Sequence, residues 1–116
     1  MYVVLYSDGQ VSVDELDSDC RSRSWIPMAV LRHSDGRTTV PCFTDVDCAR
    51  SFSNRNIPKG WTRGSILLGE DDLSSIKSKG MELDMFEFPR LVKDRKDCRL
   101  DFEILEFGEK PDLIFI

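Results

Sequence analysis

The run Arg37–Asn56, RTTVPCFTDVDCARSFSNRN, constrains the fold more than any other stretch of the chain. Its first part, Arg37–Phe43, is rich in β-branched and aromatic residues, which suit a pleated, half-buried surface. Thr44 then offers a hydroxyl to the free amides of a helix start, and Asp45 and Asp47 sit where the positive end of the helix dipole favours acids. Beyond it Cys48, Ala49 and Phe52 fall on one side, with Val46 on the flank, as a narrow apolar face. A strand therefore runs into a helix with a single residue of punctuation. The rest of the chain is built around this corner, and no group in the corner is plainly catalytic.

Upstream of the corner, Trp25–His33 (WIPMAVLRH) reads as a strand, with Pro27 near its start where a missing donor is tolerated. Ser34-Asp35-Gly36-Arg37 supplies an Asp-Gly turn, and a two-residue loop pairs His33 with Thr38, Leu31 with Val40 and Ala29 with Cys42. That register places Ala29, Leu31, Val40 and Cys42 on one face. Earlier still, Tyr2–Tyr6 (YVVLY) is a strand followed by Asp8-Gly9, and a second hairpin pairs Tyr6 with Val11 and Val4 with Val13. Ser12-Val13-Asp14-Glu15 also fits the S-x-x-E capping box, so a short helix through Asp19 competes with the hairpin. The hairpin is the preferred reading, with polar Asp17–Ser24 as a loop.

Downstream, Asn56–Gly60 breaks the helical period. Ser65–Leu68 reads as a strand closed by Gly69. Glu70, Asp71 and Asp72 open a second helix with Leu73 and Ile76 on its buried side, Lys77 and Lys79 at its negative end and Gly80 at a left-handed cap. Met81–Phe88 alternates as a strand, apolar on both faces or bulged near Met85-Phe86, and Pro89 ends it. Arg90–Asp97 is a charged loop. Leu100–Phe107 is a strand with Leu100, Phe102 and Ile104 on one face, and Asp112–Ile116 is a terminal strand. The expected order is β-β-β-β-α-β-α-β-β-β: a single α+β domain, residues 1–116, with a mixed, mainly antiparallel sheet and two short helices packed on it.

The segment from Trp25 to about Val92 resembles the N-terminal domain of the SseB (enhanced serine sensitivity) family of bacterial proteins. The resemblance rests on the hairpin leading into Val40-Pro41-Cys42-Phe43-Thr44-Asp45, the helix ending in Phe52, then a strand and an acid-started helix, and the strand Gly80-Met81-Glu82-Leu83-Asp84-Met85-Phe86. Phe88-Pro89 stands where that family usually has Asn-Pro. That family has no settled enzymatic role, so the resemblance implies a bacterial or phage interaction domain.

Composition narrows the function classes. The 116 residues are 41% hydrophobic, enough for one core. Net charge is −5, with 21 acids against 16 bases, which argues against a surface that tracks nucleic-acid phosphates. No run approaches the roughly 20 apolar residues of a spanning helix, and MYVVLYSDGQ does not read as a secretory signal, so a cytosolic protein with no membrane partner is expected. Cys20, Cys42, Cys48 and Cys98 contain no C-x-x-C pair, which favours buried free thiols over a zinc or disulfide framework.

Catalytic constellations are scarce. His33 is the single histidine. In the two-residue register Cys42 lies four residues from it, roughly 13 Å at about 3.3 Å per residue, too far for a Cys–His pair. Asp17-Ser18-Asp19, Asp45-Val46-Asp47 and Glu70-Asp71-Asp72 lack the pattern of an EF-hand loop, and Gly60 and Gly64 open no phosphate-binding motif. Ser65 lacks a nucleophile elbow. No cofactor or metal is expected.

Trp61 beside Arg63 is the composition that interface hot spots favour, although Trp61 can equally lid the core beneath the first helix. The expected function is thus a non-enzymatic protein-interaction module acting through the Phe43–Trp61 corner, with Phe43, Trp61 and Arg63 as contact residues. Its acidic balance suits a basic protein partner, and the apolar tail Leu113–Ile116 either completes the sheet or offers an edge to a second copy. The rival is a small-molecule or enzymatic pocket lined by Trp61, Arg63 and Cys42.

Overall fold

The computed structural model describes residues 1–7, 9, 11–23, 25–85, 97–106 and 113–115. Among them, seven strands and three helices follow one another as β1 (Tyr2–Tyr6), α1 (Val13–Arg23), β2 (Trp25–His33), β3 (Thr38–Cys42), α2 (Val46–Asn56), β4 (Arg63–Leu67), α3 (Glu70–Ser78), β5 (Glu82–Met85), β6 (Cys98–Glu106) and β7 (Leu113–Phe115). The expectations for 86–96, 107–112 and 116 lie outside the described residues. The architecture is α+β, and the seven strands join one mixed, mostly antiparallel sheet in the order β5-β3-β2-β1-β4-β7, with β6 on β2.

The expected first hairpin is absent, and a third helix, α1, stands in its place. The capping box prevails: Ser12 Oγ accepts from the Glu15 amide at 3.2 Å, and the Leu16 amide donates to the Ser12 carbonyl at 3.0 Å. Acids fill the first turn and arginines the last, and Arg21 pairs with Asp17 one turn back at 2.8 Å. Leu16 and Cys20 share one side of the helix and are buried. Asp17–Ser24 reads as a loop in isolation because Cys20 is its sole apolar residue, and a helix of that composition depends on the core it lies against. β1 meanwhile pairs with β4 through five residues.

The hairpin of β2 and β3 forms, but one residue out of the expected register. Leu31 faces Thr39 and Arg32 faces Thr38. The His33 amide donates to the Arg37 carbonyl at 2.9 Å and the Gly36 amide to the His33 carbonyl at 3.0 Å, with Gly36 at φ 90°. This is a three-residue loop closed by a left-handed glycine, not a two-residue turn. A slip of one residue moves every side chain to the opposite face. Ala29 and Leu31 accordingly belong to one core and Val40 and Cys42 to the other.

Pro41 explains the sheet's branching. The His33–Arg37 bond shows that odd-numbered residues of β3 aim their backbone groups at β2. Pro41 is the next such position after Thr39 and has no amide to give, so the β2–β3 ladder ends there. β1 takes over that side of β2, where Leu5 faces Met28, while β6 lines the other side of β2 along all nine residues. The missing amide of Pro27 also faces the β1 seam and costs the β6 ladder nothing. On its other edge β3 pairs in parallel with β5 from Thr39 to Cys42, and beyond that ladder Phe43 bridges to Tyr2 by two backbone bonds of 2.7 and 2.9 Å.

Helices cover both faces of the sheet rather than one. On the first face Val3, Leu5, Met28, Val30, Val40, Cys42, Ile66 and Leu105 meet Leu16 and Cys20 of α1 and Ile76 of α3. On the second face Val4, Tyr6, Ala29, Leu31 and Phe43 meet Ala49 and Phe52 of α2. The α2 cap is Asp45 rather than Thr44: its carboxylate accepts from the Asp47 amide at 2.6 Å. Asp45 has the extended backbone of a cap residue. α3 follows its expected plan, with Asp72 accepting from the Gly69 amide at 3.3 Å, Ile76 buried and Gly80 at φ 85°.

β7 adds the last strand, pairing with β4 from Gly64 to Ile66. A Cβ on Gly64 would stand 2.8 Å from the Ile114 carbonyl oxygen, so the close approach of these strands depends on glycine.

Candidate functional site

The turn that leads out of α2 decides where Trp61 goes. The Ile57 amide returns to the Ser53 carbonyl, ending the helix, and the Trp61 amide donates to the Pro58 carbonyl at 3.2 Å. Gly60, at φ 90°, permits that reversal. Trp61 is thereby folded back onto Tyr6, ring centroids 6.1 Å apart and nearly parallel, and Tyr6 meets Phe102 edge to face at 5.9 Å. Arg63 opens β4 directly opposite Tyr6, and its guanidinium donates to the Ile57 carbonyl at 3.5 Å beyond the C-terminus of α2.

Trp61 is half-buried, packed on the second core yet partly open to solvent. The strip continues along β6. Strand alternation puts Leu100, Phe102 and Ile104 on the second face, since Phe102 faces Ala29 and Ile104 faces Pro27. α2 lies over β1 and β4, so this side of β6 grows more open with distance from it: Leu100 and Phe102 are partly buried, and Ile104 is 40% exposed. Trp25 stands on the same face, diagonal to Ile104, with the Arg23 guanidinium 5.7 Å above its ring. The apolar strip is thus flanked by the Trp25–Arg23 pair at one end and by Trp61, with Arg63 on the same face, at the other.

The expected contact residues divide. Trp61 and Arg63 come together on the second face. Phe43 does not join them at the surface: it is fully buried, its ring 5.4 Å from that of Phe52, and it holds α2 against the sheet. Cys42 lies on the first face, in the other core, so the expected pocket of Trp61, Arg63 and Cys42 is not assembled. Burial pushes the Cys42 thiol up to about 11, the state of an inert structural cysteine. Cys20 is likewise pushed up to about 11, by burial and then by Asp17 and Asp19. Cys48 and Cys98 are only partly buried, which corrects the expectation of four buried thiols.

Tyr6, Phe102, Ile104 and Trp25 complete the strip; of these only Trp25 stands out in the sequence, as the second tryptophan beside Trp61. The alternation Leu100, Phe102, Ile104 was visible there. Its exposure was not, because that depends on which strands α2 covers.

A second feature lies at the other end of β2. Two adjoining clefts of about 360 and 400 Å³ surround the β2–β3 turn, sharing Arg32, Gly36, Arg37 and Thr38 in their walls. Arg32 bonds Asp101 at 3.1 Å, Thr38 at 3.2 Å and the Glu103 carboxylate; Arg37 bonds Asp35 at 2.7 Å. His33 Nε2 is 2.9 Å from Thr39 Oγ1. Among the described residues no group of three or more His, Cys, Asp or Glu side chains is arranged to hold a metal ion, and no helix is long and apolar enough to cross a membrane. No protein-family model, curated protein or solved structure matches the chain.

Proposed function

We propose that this chain is a cytosolic, non-enzymatic protein-interaction module that binds a protein partner through the aromatic strip on the second face of its sheet. The observation that carries this reading is the continuous run Trp61–Tyr6–Phe102, extended by Ile104 at 40% exposure. Tyr6 is itself buried, 5% exposed, and seats the half-buried Trp61 and Phe102 on either side of it; half-buried aromatic rings near arginines are the side chains that supply most of the binding energy in protein interfaces. Rings already held in place by a core lose little conformational freedom on binding. The acidic balance of the whole chain, −5, favours a basic partner by long-range attraction. The resemblance of Trp25–Val92 to the SseB family supports the same class of function.

The test is a tagged-protein pull-down joined to size-exclusion chromatography with light scattering, run beside a Trp61→Ala/Ile104→Asp double variant. A stoichiometric partner retained by the native chain and lost by the variant is the expected result, with the far-UV circular dichroism of both chains the same. A partner that binds the correctly folded variant equally well overturns the assignment of the surface. Absence of any partner, with the native chain eluting alone, overturns the module itself.

A further inference from the structure

Among the described residues β6 pairs with β2 alone, along all nine of its residues. The Ser34 amide donates to the Asp97 carbonyl at 2.8 Å. That alternation aims the backbone of Arg99, Asp101 and Glu103 at β2 and the backbone of Leu100, Phe102 and Ile104 outward. Two of the outward groups are met by side chains, where an adjoining strand would supply backbone. The Phe102 amide donates to Asp101 Oδ1 at 2.9 Å, and Lys79, just past the end of α3, donates to the Ile104 carbonyl at 3.5 Å. Charged side chains on a free edge are how native sheets hold off a further strand. Both can be displaced: 39% of the Asp101 side chain is accessible, and Lys79 is exposed.

The sequence of this edge fits a second copy of itself. Outward residues must face outward residues, and an antiparallel pairing centred on Asp101 sets Leu100 opposite Phe102 and Cys98 opposite Ile104 on the second face. On the first face it sets Arg99 opposite Glu103, once on each side of the two-fold axis. Arg99 is exposed and makes no ion pair among the described residues. The central pair brings two Asp101 side chains together, but each is held by its own Arg32 at 3.1 Å, which offsets the repulsion. Centring the pairing on Phe102 sets Asp101 against Glu103 on both sides of the axis. Centring it on Leu100 sets Arg99 against Asp101 but also Asp97 against Glu103. Opposite charges across strands stabilise a sheet and like charges weaken it, so charge selects the first register.

We propose that the outer edge of β6 is a self-association surface, on which a second copy of this chain pairs antiparallel about Asp101 in exchange for the Asp101–Phe102 bond. The Phe102 amide then donates to the Leu100 carbonyl of the second copy, and the Cys98 amide of the second copy replaces Lys79 at the Ile104 carbonyl. Asp101 is the latch that keeps copies apart at low concentration. The two-fold axis stands perpendicular to the sheet, so the two apolar sides of β6 join on one face. This goes beyond the proposed function and does not depend on it, because a chain that fails to pair at β6 keeps its aromatic strip.

The experiment is equilibrium sedimentation of the full chain over a concentration series at neutral pH, native beside Asp101→Ala, with folding checked by far-UV circular dichroism. Removing the latch should lower the concentration of half-dimerisation by about tenfold, the scale of one charge-assisted hydrogen bond released. Adding Arg99→Glu should raise it again by about fivefold, because the opposite-charge pairs become like-charge pairs. Cross-linking reads the register. Asp101→Cys meets its own copy in a non-hydrogen-bonded pair, Cα atoms about 4.5 Å apart, within disulfide reach. Mild oxidation should therefore join the two substituted positions, as mapped by peptide mass. Glu103→Cys, which faces Arg99 in this register, should not join to itself. Folded Asp101→Ala that is no more dimeric than the native chain overturns the proposal. Equal disulfide yields at the two positions overturn the register and with it the edge. Asp101→Cys tests the same contact independently of whether Asp101→Ala folds.

Discussion

The two faces of the sheet share their strands but are finished differently. The first face is closed by α1 and α3 over aliphatic side chains, with Leu105 of β6 fully buried. The second face is closed by α2 chiefly over β1 and β4, and Trp61 and Phe102 stand half-buried beside it. On β6 itself, the first face carries Arg99, Asp101 and Glu103 and the second carries Leu100, Phe102 and Ile104. Charge therefore lies where the sheet meets solvent on one side, and hydrocarbon on the other. Among the described residues, the apolar side of β6 is therefore the less covered one.

Removing the anchor of the second face gives the largest expected effect. Phe52 is fully buried between α2 and Phe43, and Phe52→Ala should cost about 3–5 kcal/mol of stability in denaturant titration. A loss well below that range would mean that α2 is held mainly by its turns and that the second core is weaker than its burial suggests. Neighbouring residues of β6 test the contrast more sharply. Leu105→Ala should cost about 2–5 kcal/mol, whereas Ile104→Ala, one position away and 40% exposed, should stay within about 1 kcal/mol. Similar losses at both positions would show that Ile104 is covered in solution and would remove the outer end of the strip.

These contrasts also show what was legible in the sequence. The corner at Arg37–Asn56, the order of elements after Trp25 and the plan of α3 were readable, because strand composition, acids at a helix start and a glycine at its end act locally. The register of β2 and β3 was not: Ser34-Asp35-Gly36-Arg37 is compatible with a two-residue or a three-residue loop, and the choice moved Cys42 to the face opposite Trp61. At Val11–Arg23 the Ser12 capping box and the Asp8-Gly9 pair pointed to different elements. The box won because helical spacing buries Leu16 and Cys20 together, a gain visible only once β2 and the first core are in place. Trp61 and Arg63 were found by type, whereas Tyr6, Phe102, Ile104 and Trp25 were joined to them by pairing between distant strands.

The cap of α2 is a smaller lever on the same comparison. Asp45→Ala removes the acceptor of the Asp47 amide and should cost about 1 kcal/mol, within the usual range of about 0.5–2 for such caps. The loss should appear first in the second face, as earlier thermal loss of Trp61 fluorescence relative to the far-UV signal. Coincident transitions would show that the two faces unfold as one unit.

The smallest expected effect lies on the charged fringe of the first face. Asp101 is held below its ordinary carboxylate value, first by the backbone N–H of Phe102 and next by the Arg32 guanidinium. A carboxyl whose folded value is depressed binds protons more readily in the unfolded chain. Its stabilising contribution is complete above the unfolded value near 3.9 and is lost as pH falls through the lower folded value. The ion pair is substantially exposed, with 29% and 39% of the two side chains accessible, so solvent and salt weaken it and the contribution should stay below about 1 kcal/mol. Asp101→Asn keeps an oxygen for the Phe102 amide and removes the charge. It should therefore lower stability near neutral pH by that same small amount and flatten the matching part of the acid limb, so that native chain and variant converge at low pH, as read by urea midpoints at several pH values. An acid limb identical to that of the native chain would show that Arg32 pairs chiefly with Glu103. The charged fringe would then depend on one carboxylate rather than two.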